Sequence, residues 1–248
     1  GITSAGQYNI KMVADYLVKN KYCVWYGDTD SNYISCDDSL FVETDRVYDD
    51  AKNLLLREIK NSFDARPLAE GKDISAEART IVSKLVGPYI TEFSHRYEKQ
   101  EHALAKRAIN AEDFKKWNQN AYDELIQQII KVLLDYKKLS FDETLSVEYK
   151  SSVDYKSSVD EKLSFKNNEL CFQVMSMFRF IIREIYWTQL VQITRRDLND
   201  LRVKVNSMLA SDNGTAYLTM AYEEVLFPVV FTPVIRKLSG TSNSRSEE

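Results

Sequence analysis

Apolar side chains recur at helical spacing over most of this chain, and one short stretch near its start reads instead as a pair of strands. In residues 4–20, Ile10, Val13, Leu17 and Val18 form one helical face, and Asn20 is a plausible stop. Tyr22-Cys23-Val24-Trp25-Tyr26 is then rich in β-formers, as is Asn32-Tyr33-Ile34-Ser35-Cys36, with a polar Gly/Asp turn between them. That arrangement predicts a β-hairpin. Val47, Ala51, Leu54, Leu55 and Ile59 predict a helix over 45–62, and Pro67 and Gly71 mark a loop after it.

The helical pattern resumes at Ser75, which stands in an N-cap context, and runs to about Leu139. Gly87-Pro88 is expected to break or kink it. Phe114, Trp117, Tyr122, Leu125, Ile129, Val132 and Leu133 give the stretch 111–136 its apolar face. A tandem hexapeptide, Tyr-Lys-Ser-Ser-Val-Asp, fills 149–160 and suits a small duplication in an exposed loop. Residues 168–209 return to helix, and Asp212-Asn213-Gly214 is a turn. Residues 216–232 are enriched in β-branched and aromatic side chains and read as two strand-like pieces around Pro228. The last ten residues have almost nothing to bury and are expected to be disordered.

Composition narrows the options. The chain has 248 residues, 44% hydrophobic and 28% charged, enough for one large or two small domains with a proper core. No apolar run is long enough for a transmembrane span. The opening Gly-Ile-Thr-Ser-Ala-Gly has no basic stretch followed by an apolar one, so no signal peptide is expected; the missing Met suits a segment of a longer chain. Cys23, Cys36 and Cys171 are odd in number and widely spaced, which suits neither a disulfide framework nor a zinc site and points to a reducing compartment. His95 and His102 leave little for a zinc centre or a catalytic triad. A net charge of −4 is unlike a domain that grips DNA alone, because phosphate neutralisation dominates such binding.

The chemistry centres on residues 26–31, Tyr-Gly-Asp-Thr-Asp-Ser. Asp28 and Asp30 crowd two carboxylates onto one turn, which raises at least one pKa unless a cation compensates. Magnesium takes such hard oxygen ligands, and Gly27 allows the backbone to turn unobstructed. An isolated Asp-x-Asp is more often ordinary turn chemistry. All six residues together arise by chance in this length on the order of one time in a few hundred thousand.

That hexapeptide resembles motif C of B-family DNA polymerases. Ile2-Thr3-Ser4-Ala5-Gly6 is similar to the family's Thr-x-x-Gly-Arg segment, with Gln7 where Arg is usual. Residues 218–232 are similar to the family's palm strand before its Lys-Lys-x-Tyr element, which puts Glu223 at the strand glutamate near the metals. The chain then reads Pro233-Val-Ile-Arg236-Lys237-Leu238, so Arg236 and Lys237 stand as candidates for DNA-backbone contact without the tyrosine. The long helical, tyrosine-rich stretch between these elements is similar to polymerases of large double-stranded DNA viruses of insects, of the baculovirus and nudivirus type, which would act in the host nucleus.

The resemblance implies an α+β fold: a partial polymerase palm, with the motif C hairpin and a returning strand on a small antiparallel sheet, interrupted by a mainly helical insertion. The expected divisions are 1–44 palm, 45–215 insertion, 216–238 returning palm strands and 239–248 tail. It implies metal-dependent nucleotidyl transfer from a dNTP to a primer 3′ end, with Mg2+ (or Mn2+) as the two-metal cofactor and primer–template DNA as partner. Asp30 would be the direct metal ligand, Asp28 its support, and Tyr26, Gly27, Thr29 and Ser31 would shape the hairpin or face the primer end. The family's motif A aspartate and its fingers helix do not occur here and would precede Gly1, so the chain alone is not expected to polymerise. Arg179, Arg183, Arg195, Arg196 and Arg202 read as a solvated face rather than a phosphate track, because Glu184, Asp197 and Asp200 dilute them. Phe172, Phe178, Phe180, Tyr186 and Trp187 read as core. Two rival readings are a non-catalytic remnant of a viral polymerase and a helical interaction protein in which the hexapeptide is a plain turn.

Overall fold

The structure is a computed structural model that describes residues 2–27, 31–63, 66–141 and 160–226. In chain order the elements are α1 (Ile2–Lys19), β1 (Cys23–Gly27), β2 (Asn32–Ser35), α2 (Val42–Phe63), α3 (Ala76–Ala105), α4 (Ala111–Phe141) and α5 (Asp160–Asn213). Short 3-10 turns occupy Asp38–Leu40 and Gly71–Asp73. Among the described residues no helix is long and apolar enough to cross a membrane. The tandem repeat up to residue 159 and the tail lie outside the described residues.

Two compact units divide the chain, one formed by Gly1–Val42 with Leu190–Glu248 and the other by Glu43–Gln189. The second boundary falls inside α5 rather than near residue 215, because α5 runs unbroken through it and supplies apolar residues to the cores of both units.

The larger unit is a helical bundle. Val47, Ala51, Leu55 and Ile59 of α2 recur every four residues and are all buried. They meet Tyr122, Leu125, Ile126, Ile129 and Leu133 of α4, Val82 and Val86 of α3, and Phe172, Met175, Phe178 and Ile182 of α5. Cross-helix bonds give the directions. Thr44 Oγ1 donates to Gln119 Oε1 at 3.1 Å, and Lys137 Nζ reaches Glu58 Oε2 at 2.7 Å, so α2 and α4 run parallel. Tyr186 donates to Asp45 Oδ1 at 2.8 Å while Phe63 packs edge-on against Phe172, so α5 runs antiparallel to α2.

Ser75 caps α3 as expected, its hydroxyl accepting from the Ala78 amide. The helix does not break at Gly87-Pro88. Proline removes one backbone donor and costs about 3 kcal/mol in a helix interior, which the burial of Val82 and Val86 and the packing of Tyr89, Ile90 and Phe93 offset. The chain turns later, where Arg107 adopts a left-handed φ of 58° and Asn110 caps α4 by accepting from the Asp113 amide at 2.8 Å.

In the smaller unit α1 lies antiparallel to the last turns of α5. Val13 and Leu17 bury against Leu201, Val205 and Leu209, and Asn213 Nδ2 donates to Asn9 Oδ1 at 3.0 Å. The helix α1 ends because Lys21, one residue past the expected Asn20, takes a left-handed φ of 69°, and the Tyr22 amide donates back to the Leu17 carbonyl. The β1–β2 hairpin is antiparallel, and Val24 and Ile34 pack on this core.

The expected returning strand does not form over residues 216–226, which carry no strand. The Met220 backbone is instead satisfied by one side chain of α5: Asn206 accepts from its amide at 2.6 Å and donates to its carbonyl at 3.0 Å. A side-chain amide that mimics a peptide group removes the need for a strand partner at that residue.

Candidate functional site

The hairpin is held by the register Cys23–Ser35, Val24–Ile34, Tyr26–Tyr33 and Gly27–Asn32. Trp25 is the extra residue of a β-bulge between Val24 and Tyr26, a device that bends and twists a strand close to its turn. Its ring is mostly exposed, and its indole N–H donates to Ser35 Oγ at 3.0 Å. Tyr26 and Tyr33 pack with ring centres 5.5 Å apart. Gly27 closes β1 where a Cβ would lie 3.0 Å from the Asn32 side-chain Oδ1, so a larger residue would require that side chain to shift. Among the described residues the Asn32 side-chain amide is sealed from solvent with no hydrogen-bond partner.

Of the sequence-derived candidates, Tyr26 and Gly27 lie at the end of β1 and Ser31 directly before β2. Asp28, Thr29 and Asp30 lie outside the described residues, as do Arg236 and Lys237. Among the described residues no cluster of three or more His, Cys, Asp or Glu is placed to hold a metal. Glu223 is exposed on a segment without strand structure, so the strand position expected for it is not formed. The physical reason is the Asn206 anchor on Met220, which holds that segment against α5.

The arginines are spread along α5. Arg179, Arg195 and Arg202 are exposed, and Arg183 lies between the Phe180 and Trp187 rings at 5.1 and 4.7 Å. Phe172 and Phe178 are core, whereas Phe180, Tyr186 and Trp187 are half-buried.

Sequence reasoning missed a polar junction at the base of the hairpin. Tyr22 precedes β1, Cys36 follows β2, and Asp197 projects from α5. The Tyr22 hydroxyl donates to Asp197 Oδ2 at 2.7 Å across 175 positions of sequence. The Cys36 thiol is buried; burial first, then the neighbouring Asp197 carboxylate, push it up to about 12. Burial and the same carboxylate also raise the Tyr22 phenol. No periodicity or motif signals a contact of that separation. All three cysteines are free thiols, Cys23 exposed and the other two buried.

Comparison with known proteins bears on one stretch of the chain. It is 50% identical over 48 residues to proteins called DNA polymerase beta from African swine fever virus, including the Malawi tick, Kenya pig and Namibia warthog isolates. The match covers 19% of this chain and 4% of each relative. This chain therefore contains a region related to a viral DNA polymerase. These relatives lend no support to the insect-virus grouping. No protein-family profile and no solved structure matches the chain.

Proposed function

We propose that the chain is part of a DNA-directed DNA polymerase of the B family and that the β1–β2 hairpin carries half of its metal site. The observation that carries this reading is an antiparallel hairpin whose strands end at Gly27 and resume at Asn32 around the hexapeptide Tyr-Gly-Asp-Thr-Asp-Ser, in a chain related in part to viral DNA polymerases. The strands on either side of the hexapeptide's carboxylates are paired with each other from Cys23–Ser35 to Gly27–Asn32.

In this reading Asp30 binds the metal directly and Asp28 supports it, a hard-oxygen donor set suited to Mg2+ and tolerant of Mn2+. The bound ions would stabilise charge on the reacting phosphates and activate the primer hydroxyl. Tyr26, Gly27 and Ser31 frame the tip, and Trp25 and Tyr33 give the hairpin an aromatic outer face. Primer–template DNA and dNTP are the partners of the whole enzyme. Glu223, Arg236 and Lys237 keep no assigned role.

The test is magnesium-dependent primer extension by a longer polymerase chain that includes this segment. Asp30→Ala abolishes incorporation with helix content unchanged. Retained incorporation would remove Asp30 from the site. The 248-residue chain alone is inactive in the same assay, since it lacks the motif A and fingers segments that the family uses.

A further inference from the structure

We propose that Asp197 is the positioning residue of the hairpin, because its carboxylate holds Tyr22 at the root of that element. Tyr22 is the residue entering β1 and Cys36 the residue leaving β2. Their backbones are neighbours because Cys23 pairs with Ser35. A single acceptor group on α5 therefore holds this root, with Tyr22 Oη at 2.7 Å from Oδ2, and its charge also bears on the buried Cys36 thiol.

The hairpin needs such a grip. Its strands have five and four residues, and an isolated two-stranded ribbon of that size is marginal in water. The bulge at Trp25 interrupts its ladder further. Beyond its own ladder, Val24 and Ile34 pack on the small apolar core of this unit, contacts that resist separation but are weakly directional. Hydrogen bonds to a carboxylate are short, directional and roughly twice as strong as neutral ones. Fixing that root fixes how the paired strands β1 and β2 sit against α5. A carboxylate suits this place because it accepts strongly from the partly buried Tyr22 hydroxyl, which would otherwise be left unpaired.

The Tyr22–Asp197 bond stands on geometry alone; its importance for catalysis rests on the polymerase reading above. The experiment uses the 248-residue chain as wild type, Asp197→Ala, Asp197→Asn and Tyr22→Phe. Amide exchange of β1 and β2 and alkylation of Cys36 are followed by mass spectrometry, with buried Cys171 of the other unit as internal control. Losing bonds to a charged acceptor should speed hairpin exchange and Cys36 alkylation by about tenfold or more in Asp197→Ala. Cys171 should be unaffected. Asp197→Asn, whose carbonyl oxygen still accepts a weaker neutral bond, should recover part of the protection, and Tyr22→Phe should fall close to Asp197→Ala.

Unchanged hairpin exchange in Asp197→Ala overturns the proposal, as does an Asn variant no better than Ala. If Asp197→Ala loses helix content altogether, the comparison of Asn with Tyr22→Phe decides by the same criteria. Manganese broadening of the Gly27 and Ser31 amides, recorded on the wild type, separates the two ideas. Its absence alongside the expected exchange pattern would count against the polymerase reading and leave the positioning role intact.

Discussion

Leu201→Ala tests whether the unit that carries the hairpin has its own, smaller reserve of stability. Leu201 is 6% exposed on α5, and it packs with Val13, Leu17, Val205 and Leu209 beneath Tyr22, Val24 and Ile34. Alanine favours helix at least as well as leucine, so α5 should persist and the effect should come from the core. Truncating a buried leucine costs about 2–5 kcal/mol, the range reflecting how far the cavity can collapse. The core of this unit counts only five buried side chains among the described residues, against twenty in the other. A loss of that size is comparable with the whole stability of a small domain, about 5 kcal/mol at the low end. Thiol labelling through a urea series reads each unit separately, with Cys36 reporting on one and Cys171 on the other. Leu201→Ala should move the Cys36 midpoint far to lower urea and leave that of Cys171 in place. Leu55→Ala, at a site 1% exposed in the larger unit, should do the reverse. Coincident shifts of both cysteines in both variants would refute the reasoning that the two cores are separate.

Four further outcomes follow from particular contacts. Tyr122→Phe should leave stability unchanged or raise it by about 1 kcal/mol in urea unfolding, because the buried hydroxyl has no hydrogen-bond partner among the described residues; a clear loss would refute this. Pro88→Ala should stabilise the larger unit by up to about 3 kcal/mol, as it restores a helix donor in mid-α3. Ser75→Ala should cost about 0.5–2 kcal/mol through loss of the cap on the Ala78 amide. Alkaline pH should loosen the hairpin unit: the Cys36 thiol is raised from 9.0 to about 12, so the folded state holds its proton where the unfolded chain has lost it. That stability is fully present below pH 9 and drains away as pH climbs toward 12, which Cys36 labelling against pH would follow.

Much of the fold was legible where one physical signal dominated. Four-residue apolar spacing marked α2, and the Ser75 cap marked the start of α3. Strand-forming residues around a Gly/Asp turn marked β1 and β2. Legibility failed where tertiary context overrode a local rule. Pro88 reads as a breaker, yet packing on both sides carries the helix through it. Residues 216–226 read as strand from composition, but strand structure needs a partner edge, and Asn206 supplies peptide-like bonds to Met220 instead. The candidate site was legible as a motif, because the hexapeptide is local. Its support by Asp197 was not, since hydrogen bonding across 175 positions leaves no periodic trace.

The measurement that reaches the central claim most directly is manganese titration of the chain, followed by paramagnetic broadening of its amide signals. The metal-platform account predicts that Gly27 and Ser31 broaden first and that Asp30→Ala removes the effect while the dispersion of the other signals is preserved. Broadening elsewhere on the chain, or an undiminished effect in Asp30→Ala, would contradict it.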